Sequence, residues 1–151
     1  IVVINLFDHL LLSTYGREEV GKRDEILLKE KVIIDAIFEN KDYGMLNHQL
    51  YNIYYRCARD QAYIKNKDKV IIYLNEMIKY AKEYDEIRFN NKIVNHTSFL
   101  VDRLVDSACD YIYSDEQALL KNMQEELQDK LFDFIREDED FKQIVEQLNK
   151  V

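Results

Sequence analysis

The sequence predicts an all-α protein, and three observations carry that prediction. Proline is absent, and glycine occurs only as Gly16, Gly21 and Gly44, so neither residue appears in the 107 positions after Gly44. A β-rich chain of 151 residues needs many tight turns with positive φ, and this composition does not supply them. Apolar residues recur at helical spacing along most of the length. Hydrophobic residues make up 47% of the chain and charged residues 33%, a balance that supports a buried core and argues against disorder. At least five helices in antiparallel hairpins are expected, and no sheet.

The first element is expected over residues 1–14. It is apolar around much of its circumference, which suits a helix packed on two sides. Tyr15-Gly16 ends it. A second helix over about 18–39 carries Ile26, Leu27, Ile33, Ile34, Ile37 and Phe38 as a stripe, and 1–39 reads as one hairpin. Asn40-Lys41-Asp42-Tyr43-Gly44 is the clearest turn in the chain. The third helix, about 43–65, places Leu46, Leu50, Ile53, Tyr54, Cys57, Ala58 and Ile64 on one side. Asn66-Lys67-Asp68 breaks it, and a fourth helix over about 68–86 carries Val70, Ile71, Leu74, Ile78 and Ala81. Two long amphipathic helices joined by so short a turn make a second hairpin, 43–86. Leu50, Ile53, Tyr54, Val70, Ile71, Leu74 and Ile78 are its expected core.

Residues 88–96 break the pattern and read as a linker. The remainder, 97–151, reads as a C-terminal helical segment within a single domain. Leu100, Val101, Leu104, Val105 and Ala108 fit a helix over 97–113, although the β-branched residues fit it poorly. Ser114-Asp115-Glu116-Gln117 is a capping box that opens a helix through about Ile135. Asp138 is placed to cap a last helix holding Phe141, Ile144, Val145 and Leu148.

Charge excludes some functions. The chain is net −8, and residues 114–151 alone contribute −6. Phosphate neutralisation needs a basic cluster, and none exists, so the chain is not expected to bind DNA on its own. No apolar run is long enough to cross a bilayer, and no membrane partner is expected. Cys57 and Cys109 have no paired spacing, which fits reduced thiols in a cytoplasmic protein rather than a disulfide or zinc ribbon.

Catalytic patterns are missing too. His9, His48 and His96 lie far apart, and none has an acid at a distance of three residues, so no metal or cofactor is expected and the histidines read as surface or boundary residues. The serines have no nucleophile-elbow setting, and no glycine-rich phosphate loop exists. Glu137-Asp138-Glu139-Asp140 lacks the alternating ligands and turn glycine of a calcium loop, and reads as a solvated helix start. The chain is not expected to be an enzyme. Tyrosine stands out instead: Tyr51, Tyr54, Tyr55 and Tyr63 share one helix, with Tyr73, Tyr80 and Tyr84 on its partner. Tyrosine is amphipathic and common at binding surfaces.

Residues 52–85 have the length of a tetratricopeptide repeat, about 34 residues. Tyr54 stands at the opening aromatic position, and Cys57-Ala58 at the bulky and small positions. Lys65-Asn66-Lys67-Asp68-Lys69-Val70 resembles the turn into the second helix, and Leu74 takes the large apolar position that follows. Gln61 departs from the usual aromatic, and the closing proline is missing. Further along, His96-Thr97-Ser98-Phe99-Leu100-Val101-Asp102-Arg103-Leu104 and Phe132-Asp133-Phe134-Ile135-Arg136-Glu137-Asp138-Glu139-Asp140-Phe141 resemble segments that follow tetratricopeptide-like repeats in bacterial Cro/CI-type (XRE-family) helix-turn-helix regulators. The resemblance covers most of the chain, loosely over 1–50 and better over 51–148.

That resemblance implies a right-handed superhelix of helical hairpins with a C-terminal helical cap. It also implies a module that senses a ligand or pairs subunits as a homodimer. DNA would be contacted only through an N-terminal domain, and this chain, which starts at Ile1 without Met, is expected to lack that domain. By the repeat's pattern the groove positions are Asn52, Tyr55, Arg59, Ala62 and Tyr63. An Asn amide can pair with a peptide backbone, and an Arg can fork onto a carboxylate, which is the chemistry that holds a short peptide. The alternative is a stand-alone scaffold that binds another protein and has no DNA partner.

Overall fold

The computed structural model describes residues 19–90, 92–106 and 118–150. The helix expected over 1–14, the capping box at 114–117, Cys109 and His9 lie outside them. Among the described residues the chain is mostly helical with almost no strand. A 3₁₀ turn, Val20–Lys22, leads into α1 (Arg23–Ile37), and a second, Gly44–Leu46, leads into α2 (Asn47–Tyr63). Then come α3 (Lys67–Phe89), a ladder of β1 (Val94–Asn95) with β2 (Val105–Asp106), α4 (Leu119–Glu126) and α5 (Glu139–Leu148).

The two expected turns are built differently. After α1 the chain turns through Lys41 and Gly44, both in the left-handed region with φ of 59° and 56°. Glycine takes that conformation at no steric cost, and lysine does not. After α2 the backbone forms a Schellman closure: Asn66 N–H donates to Gln61 C=O at 2.9 Å and Lys65 N–H to Ala62 C=O at 3.0 Å. Lys65 holds the left-handed position there, with φ of 58°. Asn66 then accepts from Lys69 N–H through its side chain, so one residue closes α2 and caps α3.

The short connection folds α3 back along α2. Leu50, Ile53, Tyr54, Val70, Leu74 and Ile78 are buried between neighbouring helices as expected, while Ile71 is half-buried. Ile64, expected on the core side, is exposed because α2 ends one residue before it. From α1 and the residue that ends it the core takes Leu27, Ile34 and Phe38, and it continues without a break into Met123, Phe132, Phe141 and Ile144 of the C-terminal segment.

That segment is fastened to the hairpin by polar contacts. Asp85 on α3 accepts from Leu119 N–H at 2.8 Å and Leu120 N–H at 3.0 Å, and so caps α4 from another element. Lys67 at the start of α3 pairs with Asp138 at 2.8 Å, and Asp138 caps α5 as expected, by accepting from Asp140 N–H.

Three expectations are corrected. The helix expected over 97–113 does not form in its described part: residues 99–103 turn and Val105–Asp106 joins the β ladder. Asp42 takes the Thr97 N–H and hydroxyl and the Ser98 hydroxyl, which anchors an extended strap where a helix would start. The linker 88–96 is also not wholly irregular, since α3 runs to Phe89 and Val94–Asn95 is strand, so a minimal two-stranded sheet exists where none was expected. The helix expected through Ile135 stops at Glu126. Asp129 accepts from Leu131 N–H and starts a separate 3₁₀ segment, Lys130–Ile135. Arg136 donates to the Gln128 and Asp129 carbonyls and holds the break.

Candidate functional site

The α2 residues named from the sequence share one face by their spacing of three, seven and eleven positions. Asn52 and Tyr55 are half-buried, Arg59 is exposed, and Tyr63 at the helix end is 70% exposed. The Arg59 guanidinium lies over the Tyr55 ring at 5.6 Å and reaches its hydroxyl at 3.4 Å. Asn52 sits 3.4 Å from the His48 ring nitrogen. Ala62, the fifth groove position, belongs to the core instead and is 2% exposed.

The structure brings the C-terminal segment against this face. Arg59 lies 4.0 Å from Asp129, and Tyr51, whose ring stacks with Tyr55, donates its hydroxyl to Glu126 at 2.5 Å. Burial raises the Glu126 pKa above the ordinary carboxylate value, against the pull of the Tyr51 hydroxyl and the Arg59 charge. On this side of α2 an arginine, a tyrosine hydroxyl and an aromatic ring stand beside acids from a distant part of the chain. Nothing local to 51–63 announces Glu126 or Asp129 as partners.

A second tyrosine assembly lies on the other side of α2. Tyr54 stacks on Tyr80 at 5.6 Å and tilts against Tyr73 at 5.9 Å, while Tyr43 meets Tyr80 edge-on at 6.0 Å. Tyr43 donates to Asp35 at 2.7 Å and Tyr73 to Asp24 at 2.6 Å. Two adjoining hollows of about 370 and 290 Å³ open over these rings. The sequence placed Tyr73 and Tyr80 opposite α2, but it gave no sign that Tyr43 and Lys41 of the turn would join them.

Buried polar groups were missed as well. Asp24 is 1% exposed; its Oδ2 accepts from Lys69 at 2.7 Å as well as from Tyr73, and its Oδ1 has no hydrogen-bond partner among the described residues. Cys57 lies beside it, fully buried, and burial pushes its thiol pKa far up, which makes it inert. His96, read as a surface or boundary residue, is 4% exposed, with Nδ1 2.6 Å from the Asp42 carbonyl and its ring edge-on to Phe38. Phe38 and the turn that follows it enclose the imidazole, a tertiary effect with no local signal.

Among the described residues no group of three or more His, Cys, Asp and Glu is arranged to hold a metal ion, and no helix is long and apolar enough to cross a membrane. Compared with family models, curated proteins and solved structures, the chain matches none. The geometry sets a cation–aromatic face on α2 beside carboxylates, with a tyrosine-floored cleft behind it.

Proposed function

We propose that the chain is the ligand-sensing and/or dimerisation module of a bacterial transcriptional regulator of the Cro/CI type, working in the cytoplasm and binding a peptide or protein through tetratricopeptide-like helices. In this reading α1, α2 and α3 belong to a right-handed superhelix, the C-terminal segment is its cap, and DNA is contacted through a separate domain. The chain itself carries no catalytic role. One observation supports it above the others: Arg59 stands exposed over Tyr55 on the face named from the repeat pattern, and it already neighbours a carboxylate, Asp129. A peptide ending in a free carboxylate offers Arg59 the same chemistry at closer range, with bidentate geometry.

Calorimetric titration with short peptides bearing a free C-terminal carboxylate tests this. Wild-type chain should bind, and Arg59→Ala should weaken binding at least about tenfold, the loss expected for one charge-assisted contact. Equal affinity for both proteins removes the role given to Arg59. The chain alone should not retard a DNA fragment at physiological salt, because its net charge of −8 opposes phosphate contact; salt-sensitive micromolar retardation would overturn that part. A helix-turn-helix pattern in an upstream reading frame separates the regulator from a free-standing scaffold.

A further inference from the structure

We infer that the tyrosine-floored cleft between α1, the 38–44 turn and α3 is a binding site for a small aromatic anion, with Lys41 and Lys79 gripping its charged head. The site shares no residue with the peptide face on α2, so the two readings stand or fall separately.

The cleft has the right shape and the right charge. Its two hollows share Lys41, Tyr43, Lys79 and Tyr80, which places these four at the junction. Their volumes, about 370 and 290 Å³, lie near the lower end of the range for small-molecule sites. The charged lining of the larger hollow is Lys31, Lys41 and Lys79 against Glu76, and the smaller adds Lys92 with Asp42 and Glu83, so lysines outnumber acids across the two. In a chain of net −8 that is a local reversal of sign.

Two of these lysines are available. Lys31 is committed to Asp35 at 2.5 Å. Lys79 is 3.9 Å from Glu76, a largely exposed pair of the kind that contributes little, and its ammonium sits 5.1 Å from the Tyr80 centroid. Among the described residues no carboxylate pairs with Lys41, which is exposed and lines both hollows. An ammonium ligand would meet these cations, so the cleft selects against it.

The floor asks for a ring. Tyr54 and Tyr80 are stacked within 14° of parallel, Tyr43 packs edge-on to Tyr80, and all three are buried, so the floor is a packed aromatic surface against which another ring can lie. Leu28 and Ile72 complete an apolar wall, and Ile72 is 58% exposed. The smaller hollow reaches Val94 and Lys92 on the strap that Asp42 anchors through Thr97 and Ser98. A ligand that extends from the junction into the smaller hollow would reach the strap as well as the helical body.

The test uses the full 151-residue chain and four probes: 2-naphthoate, 2-naphthyl phosphate, 2-naphthylmethylammonium and acetate. Titrations are followed by calorimetry and by backbone amide shifts. At least one of the two naphthyl anions should bind and shift Lys41–Gly44 and residues 76–80, and whichever binds tighter identifies the head group. The ammonium and acetate should bind at least about tenfold more weakly, for want of attraction or of a ring. Lys41→Gln and Lys79→Gln should each weaken anion binding about tenfold while leaving thermal unfolding unchanged, since both side chains are exposed. Arg59→Ala should bind the anion as wild type does. Comparable binding of the ammonium or of acetate overturns the inference. So do shifts confined elsewhere, wild-type affinity in both lysine variants, or no anion binding at about 10 mM, weaker than any specific site.

Discussion

Glu126 sets burial against hydrogen bonding in one carboxylate. Burial pushes its pKa up, and the Tyr51 hydroxyl and Arg59 charge pull it only part of the way back. Asp85 behaves alike: burial outweighs the two amide hydrogen bonds from α4 and the Arg88 charge. A carboxylate whose folded pKa lies above its unfolded value binds more protons when folded, so its contribution to stability falls as pH rises through the carboxylate range. Glu126→Gln keeps an acceptor for Tyr51 and removes the half-buried charge. The Tm difference between this variant and wild type should move in the variant's favour as pH rises from about 4 to 7, with a Tm at pH 7 equal to or above wild type. A difference that moves in wild type's favour over that range would show that the charged form is stabilised there. Asp138 works with the opposite sign: the hydrogen bond from Lys67 holds its pKa down, so its contribution is lost as pH falls. Neither sign was legible in the sequence, because the groups that set them come from afar; Tyr51 and Glu126 are 75 residues apart.

At the scale of elements, the helices and their ends divide sharply in how well they could be read. Periodicity located α1, α2 and α3 because each buries a continuous stripe, and Leu74 at its centre is fully enclosed. Leu74→Ala should therefore cost about 2–5 kcal/mol in chemical denaturation, and a loss under about 0.5 kcal/mol would place it outside the core. Capping by Asp138 was legible because the cap and the helix it serves are adjacent in sequence. The end of α4 was not, because Arg136 and the Asp129 side chain together break a run that propensity alone would continue. The strap was misread for the same kind of reason: Asp42, more than fifty residues upstream, takes the polar groups of Thr97 and Ser98. The Schellman closure after α2 yields a sharper prediction. Lys65 occupies a left-handed position that glycine prefers, so Lys65→Gly should stabilise the chain by up to about 1 kcal/mol. Destabilisation of that size would mean that the lysine side chain has a role the backbone does not reveal.

Across the whole molecule, composition foresaw a helical chain because the absence of proline and the scarcity of glycine bear on every element at once. Half of the α2 face was legible too, since Asn52, Tyr55, Arg59 and Tyr63 repeat at helical intervals. The other half, the acids of the C-terminal segment, emerged only from the fold. Charge distribution supplied a hint, since the residues from 114 onward carry most of the net negative charge. In the structure that acidity meets Arg59 through Asp129 at 4.0 Å and Lys67 through Asp138 at 2.8 Å. The tyrosine cleft was the least legible feature, because it is assembled from α1, a turn, α2 and α3, and no window of sequence contains it.

Carboxylate recognition on α2 is the central claim, and one comparison bears on it most directly. Matched peptides, identical except for a free or an amidated C-terminus, are titrated into isotope-labelled chain, and the amides of residues 48–63 and 126–131 are followed. The free-acid peptides should shift Asn52, Tyr55 and Arg59 together with Glu126 and Asp129, which neighbour that face. The amidated partners should shift them far less, and Arg59→Ala should abolish the difference. Equal shifts from acid and amide, or shifts that leave this face untouched, would contradict the account.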